Sequence, residues 1–317
     1  MKIMSYNIRS FGLGKNSKFG ALKKLILKEK PSFFALQETK LESVDDRWVN
    51  LIWGSLNCNF IQQDKIGKSG GQLLIWDSSL FEATDVIKFD RVIGVRGKWK
   101  DNGSILNVLN IYGPHDERGK QSLWDSLSNV INSNNEAWVL CGDFNEVRTP
   151  EERLNCVFVE NRAKKFNEFI QANNLLEIPM GGRSFTRVCD NGIKFSKLDR
   201  FLVSEPFLLL WRNLTAVVME RTDSDHCPIS LSDDERNFGP KLVKVFDAWL
   251  DNNDAELLIQ NTWAACSPPG PRRDRQFLSK LKMVKAALIQ WSSQQFGSLD
   301  SEIDDLKTKA QALELKA

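Results

Sequence analysis

The sequence lacks the signatures of several common protein classes. It contains only two histidines, and its six cysteines are scattered, with no Cys-x-x-Cys pair and no Cys/His cluster of zinc-site spacing. This pattern favours reduced thiols in an intracellular protein. No apolar run approaches the roughly eighteen residues that cross a bilayer, and the N-terminal "MKIMSYNIRS" lacks the apolar segment of a secretory signal. We therefore expect an intracellular protein with no membrane span.

The chain also lacks a strong charge of either sign. Its 317 residues carry a formal net charge of +2, so nucleic acid could bind only through a local basic face. A GxxxxGK[ST] phosphate loop and a GxSxG nucleophile elbow are both missing, which disfavours nucleotide-driven phosphoryl transfer and serine hydrolysis. In contrast, ten Trp and nineteen Phe can fill a large apolar core.

Short apolar runs, each meeting a polar cluster, recur through the N-terminal part of the chain. They are rich in β-forming residues and predict strands: "KIMSYNI", "SFFALQET", "GQLLIWD", "SILNVLNIYGP", "AWVLCGDFN", "FSKLDRFLVS" and "LTAVVMERTDSDHCP". Helical spacing of apolar residues falls between several of them, in "KFGALKKLILKEK", "QSLWDSLSNVIN" and "NRAKKFNEFIQANN". The mixture predicts an α/β architecture whose sheets are covered by helices.

Six of these strand candidates end in, or run directly into, polar residues of the kinds used in catalysis. Any one of them is most simply a turn residue, but six together indicate a shared site, because ligands of α/β proteins bind where strand ends converge. The residues are Asn7, Glu38, Tyr112, Asp143 with Asn145, Asp199, and Asp225 with His226.

The chemistry of this set is consistent. Carboxylates, amides and one histidine, without a cysteine ligand, make an oxygen-rich site that suits Mg²⁺ or Mn²⁺ rather than zinc. With the nucleotide and serine-hydrolase loops missing, metal-assisted hydrolysis of a phosphoester is the leading reaction class.

The motifs that contain these residues resemble a known family. In order and rough spacing, "MSYNIR", "ALQETK", "NIYGP", "CGDFNEVRTPEER", "SFTRV", "KLDRFLVS" and "SDHCPI" are similar to the endonuclease/exonuclease/phosphatase superfamily, which includes deoxyribonuclease I and the abasic-site endonucleases. The sequence most resembles the endonuclease domain of plant LINE-type (non-LTR) retrotransposon polyproteins. The resemblance spans roughly residues 1–232. It implies a four-layer α/β sandwich, with two packed, mainly antiparallel or mixed sheets flanked by helices.

The resemblance also implies roles for individual residues. Glu38 would be the main metal ligand, with Asn7 close to the metal and Asp225 touching it directly or through water. The attacking water would be positioned or deprotonated by Asp143 and oriented by Asn145. Tyr112 would donate its hydroxyl to the phosphate, His226 would contact a phosphate oxygen, and Asp199 would orient the imidazole. The general base is left open.

Several residues depart from the family pattern or extend it. Arg9 stands where abasic-site enzymes carry an acidic residue, and it suits a DNA phosphate better than a metal. His115 is either a phosphate contact or a loop histidine. Arg187 replaces a common Trp, and Thr186 is a candidate DNA contact. Arg153 either supports the Asp143 loop or contacts phosphate, and its simplest alternative role is a surface salt bridge.

The pattern predicts three segments: a catalytic domain at 1–235, a linker with a short helix at 236–275, and an amphipathic helical tail at 276–317. The tail has apolar residues at four-three spacing and resembles the start of the connector to a reverse transcriptase. The seam consists of Phe277, Leu281, Val284, Leu288 and Trp291, then Leu299, Ile303, Leu306, Ala310 and Leu313. We expect the natural polypeptide to continue beyond it.

The sequence thus predicts a Mg²⁺-dependent DNA endonuclease of retrotransposon origin, which nicks DNA and leaves a 3′-hydroxyl. The expected partners are DNA and a reverse transcriptase domain on the same polypeptide, and the expected location is the nucleus. The open alternatives are an abasic-site repair enzyme, a phosphatase of lipid or inositol phosphates, and a catalytically dead retroelement copy. Oligomeric state is not predicted.

Overall fold

Two mixed β-sheets and the helices that cover them form the larger of two compact units in the chain. The computed structural model describes residues 1–11, 17–66, 69–132, 134–189, 193–233, 252–266 and 273–296. The larger unit ends with the strand Ile229–Asp233. The smaller unit contains two helices from the C-terminal part of the chain.

The first sheet has seven strands. Its strands are β1 (Lys2–Asn7), β2 (Phe33–Gln37), β3 (Cys58–Ile66), β4 (Ser69–Asp77), β11 (Met180–Gly182), β15 (Leu214–Val218) and β16 (Ile229–Asp233). Their order across the sheet is β11-β15-β16-β1-β2-β4-β3. The pairs β1–β2 and β11–β15 are parallel, and the other neighbours are antiparallel.

The second sheet has six strands, and a small third sheet has three. The second sheet consists of β5 (Phe81–Phe89), β6 (Val92–Trp99), β7 (Ile105–Tyr112), β8 (Ala137–Asp143), β10 (Leu175–Glu177) and β14 (Asp199–Ser204), in the order β10-β14-β8-β7-β6-β5. Only its β7–β8 pair is parallel. The third sheet joins β9 (Arg153–Leu154), β12 (Arg187–Val188) and β13 (Phe195–Ser196).

Five helices accompany these sheets in the larger unit: α1 (Ser17–Glu29), α2 (Asp46–Trp53), α3 (Glu117–Ile131), α4 (Glu160–Ala172) and α5 (Glu205–Leu210). A short 3₁₀ turn covers Pro150–Glu152. Local chemistry fixes some of the helix ends. The Asp45 carboxylate caps α2 by accepting from the Trp48 N–H, and Gly54 ends the helix with φ +85°.

Alternation along each strand divides the apolar side chains between a core inside the sandwich and two outer cores. In β1, Ile3 joins the core between the sheets, whereas Met4 packs with α1 and α2 on the outer face. In β8, Val139 faces inward and Leu140 packs with α3 and α4. Because both faces are buried, the strands read as almost continuous apolar runs. The predicted four-layer sandwich is confirmed.

A group of buried amides interrupts the apolar core beneath one edge of the sandwich. Gln37 Nε2 donates to Asn110 Oδ1 at 2.7 Å and to Ser5 Oγ at 3.0 Å. Asn110 Nδ2 donates to the carbonyls of Leu36 and Leu73 in the opposite sheet. The hydrogen bonds of Asn110 with Gln37, Leu36 and Leu73 join the two sheets directly.

The smaller unit contains α6 (Asn253–Ala265) and α7 (Arg273–Phe296). Its apolar contact consists of Ala255, Leu288 and Trp291, with Val284 packed against them. The first half of the predicted seam therefore lies in a helix and partly in a helix–helix contact. Its second half, from Leu299, lies outside the described residues, and the boundaries at 235 and 275 remain predictions. None of the described helices is long and apolar enough to cross a membrane.

The structure corrects two predicted strands. His226 does not end the strand "LTAVVMERTDSDHCP", because β15 stops at Val218 and His226 lies in the following loop, just before β16. Likewise, "FSKLDRFLVS" is divided into β13 and β14, and Asp199 begins β14 instead of ending a strand. Both residues still lie at the predicted edge, but each stands at or before the start of a strand instead of at its end.

Candidate active site

The strand ends of the two sheets meet at one edge of the sandwich. In the first sheet, the parallel pair β1–β2 ends with Asn7 beside Gln37. In the second, the parallel pair β7–β8 ends with Tyr112 beside Asp143, and the antiparallel β14 starts with Asp199 opposite Asp143. Parallel pairing therefore gathers residues that are far apart in sequence, as the strand-end argument predicts.

Asn7 links carboxylates from both sheets. Its Nδ2 donates to Glu38 Oε1 at 3.0 Å and to Asp143 Oδ2 at 2.9 Å, and its Oδ1 accepts from the Arg9 backbone N–H at 3.0 Å. Asn7 is completely buried. Glu38 follows β2 with a left-handed φ of 51°, a strained conformation that is typical of functional sites. One amide thus holds two carboxylates in fixed positions.

His226 lies between two buried aspartates. Its Nδ1 is 2.8 Å from Asp199 Oδ2, and its Nε2 is 3.7 Å from Asp143 Oδ2. Burial acts to lower the pKa of His226, but Asp199 and Asp143 outweigh it and raise the pKa to about 9. Burial raises the pKa of Asp143 as well. The imidazole is therefore charged at neutral pH, and its position is fixed by Asp199.

Asn145 and Tyr112 complete this group. The Asn145 N–H donates to Asp143 Oδ1 at 2.9 Å, and its side-chain Nδ2 donates to the Gly113 carbonyl at 2.8 Å. Asn145 is held in a left-handed conformation with φ 50°. Burial, together with the carboxylates of Glu38 and Asp143, raises the pKa of Tyr112. Its hydroxyl consequently keeps its proton and remains a hydrogen-bond donor.

Asp225 lies at the same edge but is bound by arginines. Its Oδ2 is 3.4 Å from Arg9 Nη1 and 3.2 Å from Arg187 Nε. An isolated backbone bridge joins Arg187 to His226. The structure therefore brings all eight predicted catalytic residues to one edge, and it surrounds Asp225 with positive charge.

A basic cleft of about 280 Å³ adjoins Asn145. Arg153, Arg162, Arg187 and Lys194 supply its cationic lining, and His115 also lines it. His115 is exposed. Arg153 Nη1 donates to the Val157 carbonyl at 2.5 Å and its Nη2 is 3.9 Å from Glu146 Oε1, so it supports the loop after β8 while it lines the cleft.

Thr186, a predicted DNA contact, lies inside the protein next to the start of β14. Thr186 is completely buried, and its hydroxyl accepts from the N–H groups of Leu198 and Asp199 at 2.9 and 3.0 Å. In the structure Thr186 therefore holds the start of β14, and its contact with DNA stays a prediction. Ser224 is comparable, and sequence reasoning missed it. Its hydroxyl donates to the Asn7 carbonyl at 2.7 Å and accepts from the His226 N–H at 3.2 Å.

A buried ionic network supports the loop after β8. Arg200, completely buried in β14, donates to carboxylate oxygens of Glu152 and Glu177 at 2.9–3.1 Å and to the Glu146 carbonyl at 3.1 Å. Lys197 and Arg148 also bind Glu177. Sequence reasoning missed this network. The signal was an arginine inside the otherwise apolar strand "DRFLVS", since a buried charge requires partners.

The donors at this edge suit a hard divalent cation. Glu38 is a half-buried carboxylate whose Oε1 is held by an amide, with the Tyr112 hydroxyl and Asp143 nearby. Oxygen donors of this kind prefer Mg²⁺ or Mn²⁺. Asp143, Asp199 and His226 also have ligand atoms within 4.8 Å of one another. In this group, however, the positively charged imidazole of His226 already lies where a metal cation would bind. Glu38 is therefore the better-placed ligand.

Comparison with protein-family models identifies the family. The model named Endonuclease/Exonuclease/phosphatase family matches residues 4–226. The chain belongs to this family. Members of the endonuclease/exonuclease/phosphatase family depend on a divalent metal and hydrolyse phosphodiester or phosphate ester bonds. The predicted superfamily and the predicted hydrolase are both confirmed.

Solved structures of this family share the fold. The AP endonuclease LMAP from Leishmania major is 17% identical, with a TM-score of 0.58 over 73% of this chain and 86% of its own. The 3′ phosphatase NExo from Neisseria, solved with product DNA hairpin, is 17% identical with a TM-score of 0.58, and covers 74% and 99%. The endonuclease domain of TRAS1, a telomere-specific non-LTR retrotransposon, is 14% identical with a TM-score of 0.55, and also covers 74% and 99%. At these identities the likeness shows the fold alone. A sequence search of curated proteins finds no significant match.

Proposed function

We propose that this protein is a Mg²⁺-dependent DNA endonuclease, which nicks one strand and leaves a 3′-hydroxyl. The observation that carries the proposal is the Asn7 bridge between Glu38 and Asp143 beside a charged His226. We assign these three groups as a metal-binding carboxylate, a water-orienting carboxylate and a cationic donor. Such a set supports metal-assisted hydrolysis of a phosphodiester.

Glu38 would hold the metal, with Asn7 fixing the carboxylate and offering a further oxygen. When bound, the metal would neutralise charge on the scissile phosphate. Asp143 would orient the attacking water and accept its proton, while Asn145 holds Asp143 and the water in line. Asp199 fixes Nδ1 of His226, so that Nε2 donates to a phosphate oxygen. Tyr112, neutral because its pKa is raised, would donate to the charge that develops there.

We propose DNA as the substrate because cations cluster around the catalytic edge of a chain with little net charge. Arg9, Arg153 and Arg187 lie at or beside the site, and cations so placed can bind the phosphates of a nucleic-acid backbone. The motifs "GDFNEVRTPEER" and "LDRFLVS", together with the fold shared with the TRAS1 domain, support an origin in a plant LINE-type element. A reverse transcriptase domain would then follow on the same polypeptide, and the protein would act in the nucleus.

A second candidate function is abasic-site cleavage or removal of a 3′-phosphate. It is favoured by the fold shared with the AP endonuclease LMAP and with the 3′ phosphatase NExo. The basic lining of the cleft beside Asn145 suits a DNA phosphate, and damaged and undamaged strands both carry phosphates. We rank the nicking of undamaged DNA first because of the motifs "GDFNEVRTPEER" and "LDRFLVS", which resemble retrotransposon endonucleases.

The proposal is tested by conversion of supercoiled plasmid to open circle. We expect nicking by the wild type in Mg²⁺ and none in EDTA. Glu38→Gln and His226→Asn should each lower the rate by at least about a hundredfold, whereas Arg212→Gln, at an exposed position, should match the wild type. Abasic and 3′-phosphate oligonucleotides and a phosphoinositide run in parallel. Activity on any of these without plasmid nicking refutes the first candidate, and inactivity on all of them indicates a dead copy.

A further inference from the structure

Asp225 differs from the other carboxylates of the site in what surrounds it. We propose that Asp225 is not a metal ligand in this chain. Instead, it holds Arg9 and Arg187 as a paired-guanidinium site for a backbone phosphate next to the scissile one. The inference deepens the proposed function, since it takes DNA as the substrate. It replaces the metal contact at Asp225 that the family resemblance implies.

The Asp225 carboxylate is buried and holds two partly exposed guanidinium groups. Both guanidinium groups approach the same oxygen, Oδ2, at 3.4 Å from Arg9 and 3.2 Å from Arg187. The Asp225 side chain is only 5% exposed, whereas those of Arg9 and Arg187 are 44% and 35% exposed. The carboxylate is thus buried, while the guanidinium groups reach solvent where a strand of DNA can approach.

Both arginines are tied to catalytic residues through the backbone. The N–H of Arg9 donates to Asn7 Oδ1, and Arg9 has a left-handed φ of 51°. Arg187 forms a backbone bridge with His226, and the N–H of the next residue, Val188, donates to the Asp225 carbonyl at 2.8 Å. A phosphate held by the arginines would therefore lie at a fixed position relative to Asn7 and His226, and such pre-organisation favours productive binding.

The charges favour an anion over a second cation. The Asp225 carboxylate faces two guanidinium groups, so positive charge lies on the side from which a cation would approach it. A divalent cation on Asp225 would be repelled by both arginines, whereas Glu38 is held by the neutral amide of Asn7. Arg187 gives one N–H, from Nε, to Asp225, and a guanidinium has five donors in a fork that matches phosphate.

The surroundings extend the same chemistry. Arg187 also lines the basic cleft beside Asn145, together with Arg153, Arg162 and Lys194. Glu146, which lies 3.9 Å from Arg153, is also paired with Lys120 and Arg162. Positive charge thus continues from the Asp225 cluster into a cleft of nucleotide size. A phosphodiester strand carries a negative charge at each nucleotide and would follow this path.

The first experiment measures metal binding without turnover. Mn²⁺ is titrated into the full chain and the free ion is followed by electron paramagnetic resonance, with circular dichroism as the check of folding. We expect Asp225→Asn to bind Mn²⁺ within about threefold of the wild type, and Glu38→Gln to bind it at least about tenfold more weakly. If Asp225→Asn loses affinity as Glu38→Gln does, Asp225 is a metal ligand and the inference is overturned.

The second experiment measures DNA binding in EDTA, by fluorescence anisotropy of a labelled duplex at several salt concentrations. Replacing Arg9 and Arg187 together by Gln should reduce the slope of log K against log salt by about 1, because the pair binds one phosphate and its loss removes about one released counterion. The control replaces Lys98 and Arg212, two exposed cations. Lys98 pairs with Ile105, at the end of β7 remote from Tyr112.

The outcomes separate this inference from the proposed function. An unchanged salt slope in the double arginine variant, or an equal change in the control, overturns the phosphate site even if Asp225→Asn fails to fold. If either result comes with normal plasmid nicking by the wild type, only the inference fails. If the wild type does not nick plasmid at all, the proposed function fails first.

Discussion

The buried arginine of β14 offers the sharpest test of how the site is held together. Arg200 is completely buried and shares its guanidinium between Glu152 and Glu177. We predict that Arg200→Met destabilises the larger unit by about 3 kcal/mol, because Glu152 and Glu177 lose their completely buried partner and keep only partly exposed cations. The same change should loosen the loop after β8, since Arg200 also donates to the Glu146 carbonyl.

The magnitude follows from Glu177. Burial acts to raise its pKa, but Arg200, Arg148 and Lys197 outweigh burial and lower the pKa from 4.5 to about 2. A difference of this size between the unfolded and folded states corresponds to about 3 kcal/mol of stability at neutral pH. The carboxylate is lowered in the folded state, so this stability is present above about pH 4.5 and is lost as the pH falls towards 2.

The assay is urea unfolding at pH 7 and pH 3, followed by tryptophan fluorescence. We expect Glu177→Gln to cost about 3 kcal/mol at pH 7 and about 1 kcal/mol at pH 3. The double variant Arg200→Met/Glu177→Leu should cost less than the sum of the two single changes, because it removes both charges. If Arg200→Met lowers the free energy of unfolding at pH 7 by less than about 1 kcal/mol, the reasoning is refuted, since loss of a buried ion-pair partner should destabilise the fold by more than that.

Three further predictions concern the catalytic edge. The nicking rate should hold up to about pH 9 and fall above it, because the charged His226 then loses its proton. In Asp199→Asn the fall should occur at lower pH. A rate–pH profile that is identical in both proteins would contradict this. Ser224→Ala should lower kcat about tenfold with little change in KM, because the hydroxyl joins Asn7 to His226 without touching DNA; an effect on KM alone would contradict it. Gly142→Ala should lower the free energy of unfolding by more than about 3 kcal/mol, because Gly142 has φ +141° and a Cβ would overlap the Ile111 carbonyl oxygen. Thermal melts check this. The control is Gly20→Ala, where a Cβ meets nothing within 4 Å.

The residue pattern predicted helix-covered sheets and polar residues gathered at strand ends, whereas the four layers were implied by the family resemblance. The catalytic role of the edge stays a prediction. Strands such as β8 are buried on both faces, so their apolar runs stand out, and each is followed by a polar residue that the edge needs. The same reasoning assigned two of these polar residues to the wrong end of a strand. Asp199 and His226 lie at starts of strands or before them, and a polar residue beside an apolar run looks the same at either end of a strand.

What the sequence did not predict depends on contacts between distant residues. Strand β5 is largely exposed and polar, and β6 is interrupted by Gly94, Arg96 and Gly97, so the apolar signal of this hairpin is weak. Arg200 and Glu177 are 23 residues apart and pair only because β10 lies beside β14. The role of Asp225 is similar. Its place in a family motif implied a metal contact, whereas its partners, Arg9 and Arg187, come from two other segments of the chain.

The amides beneath the catalytic edge limit how this protein can change. Gln37 and Asn110 belong to different sheets, and each satisfies donors or acceptors of the other sheet. An apolar replacement at either position alone would leave the buried hydrogen-bonding groups of its partner without a hydrogen bond. Viable substitutions should therefore occur in pairs. Among related sequences, these two positions should covary, although neither one touches the substrate.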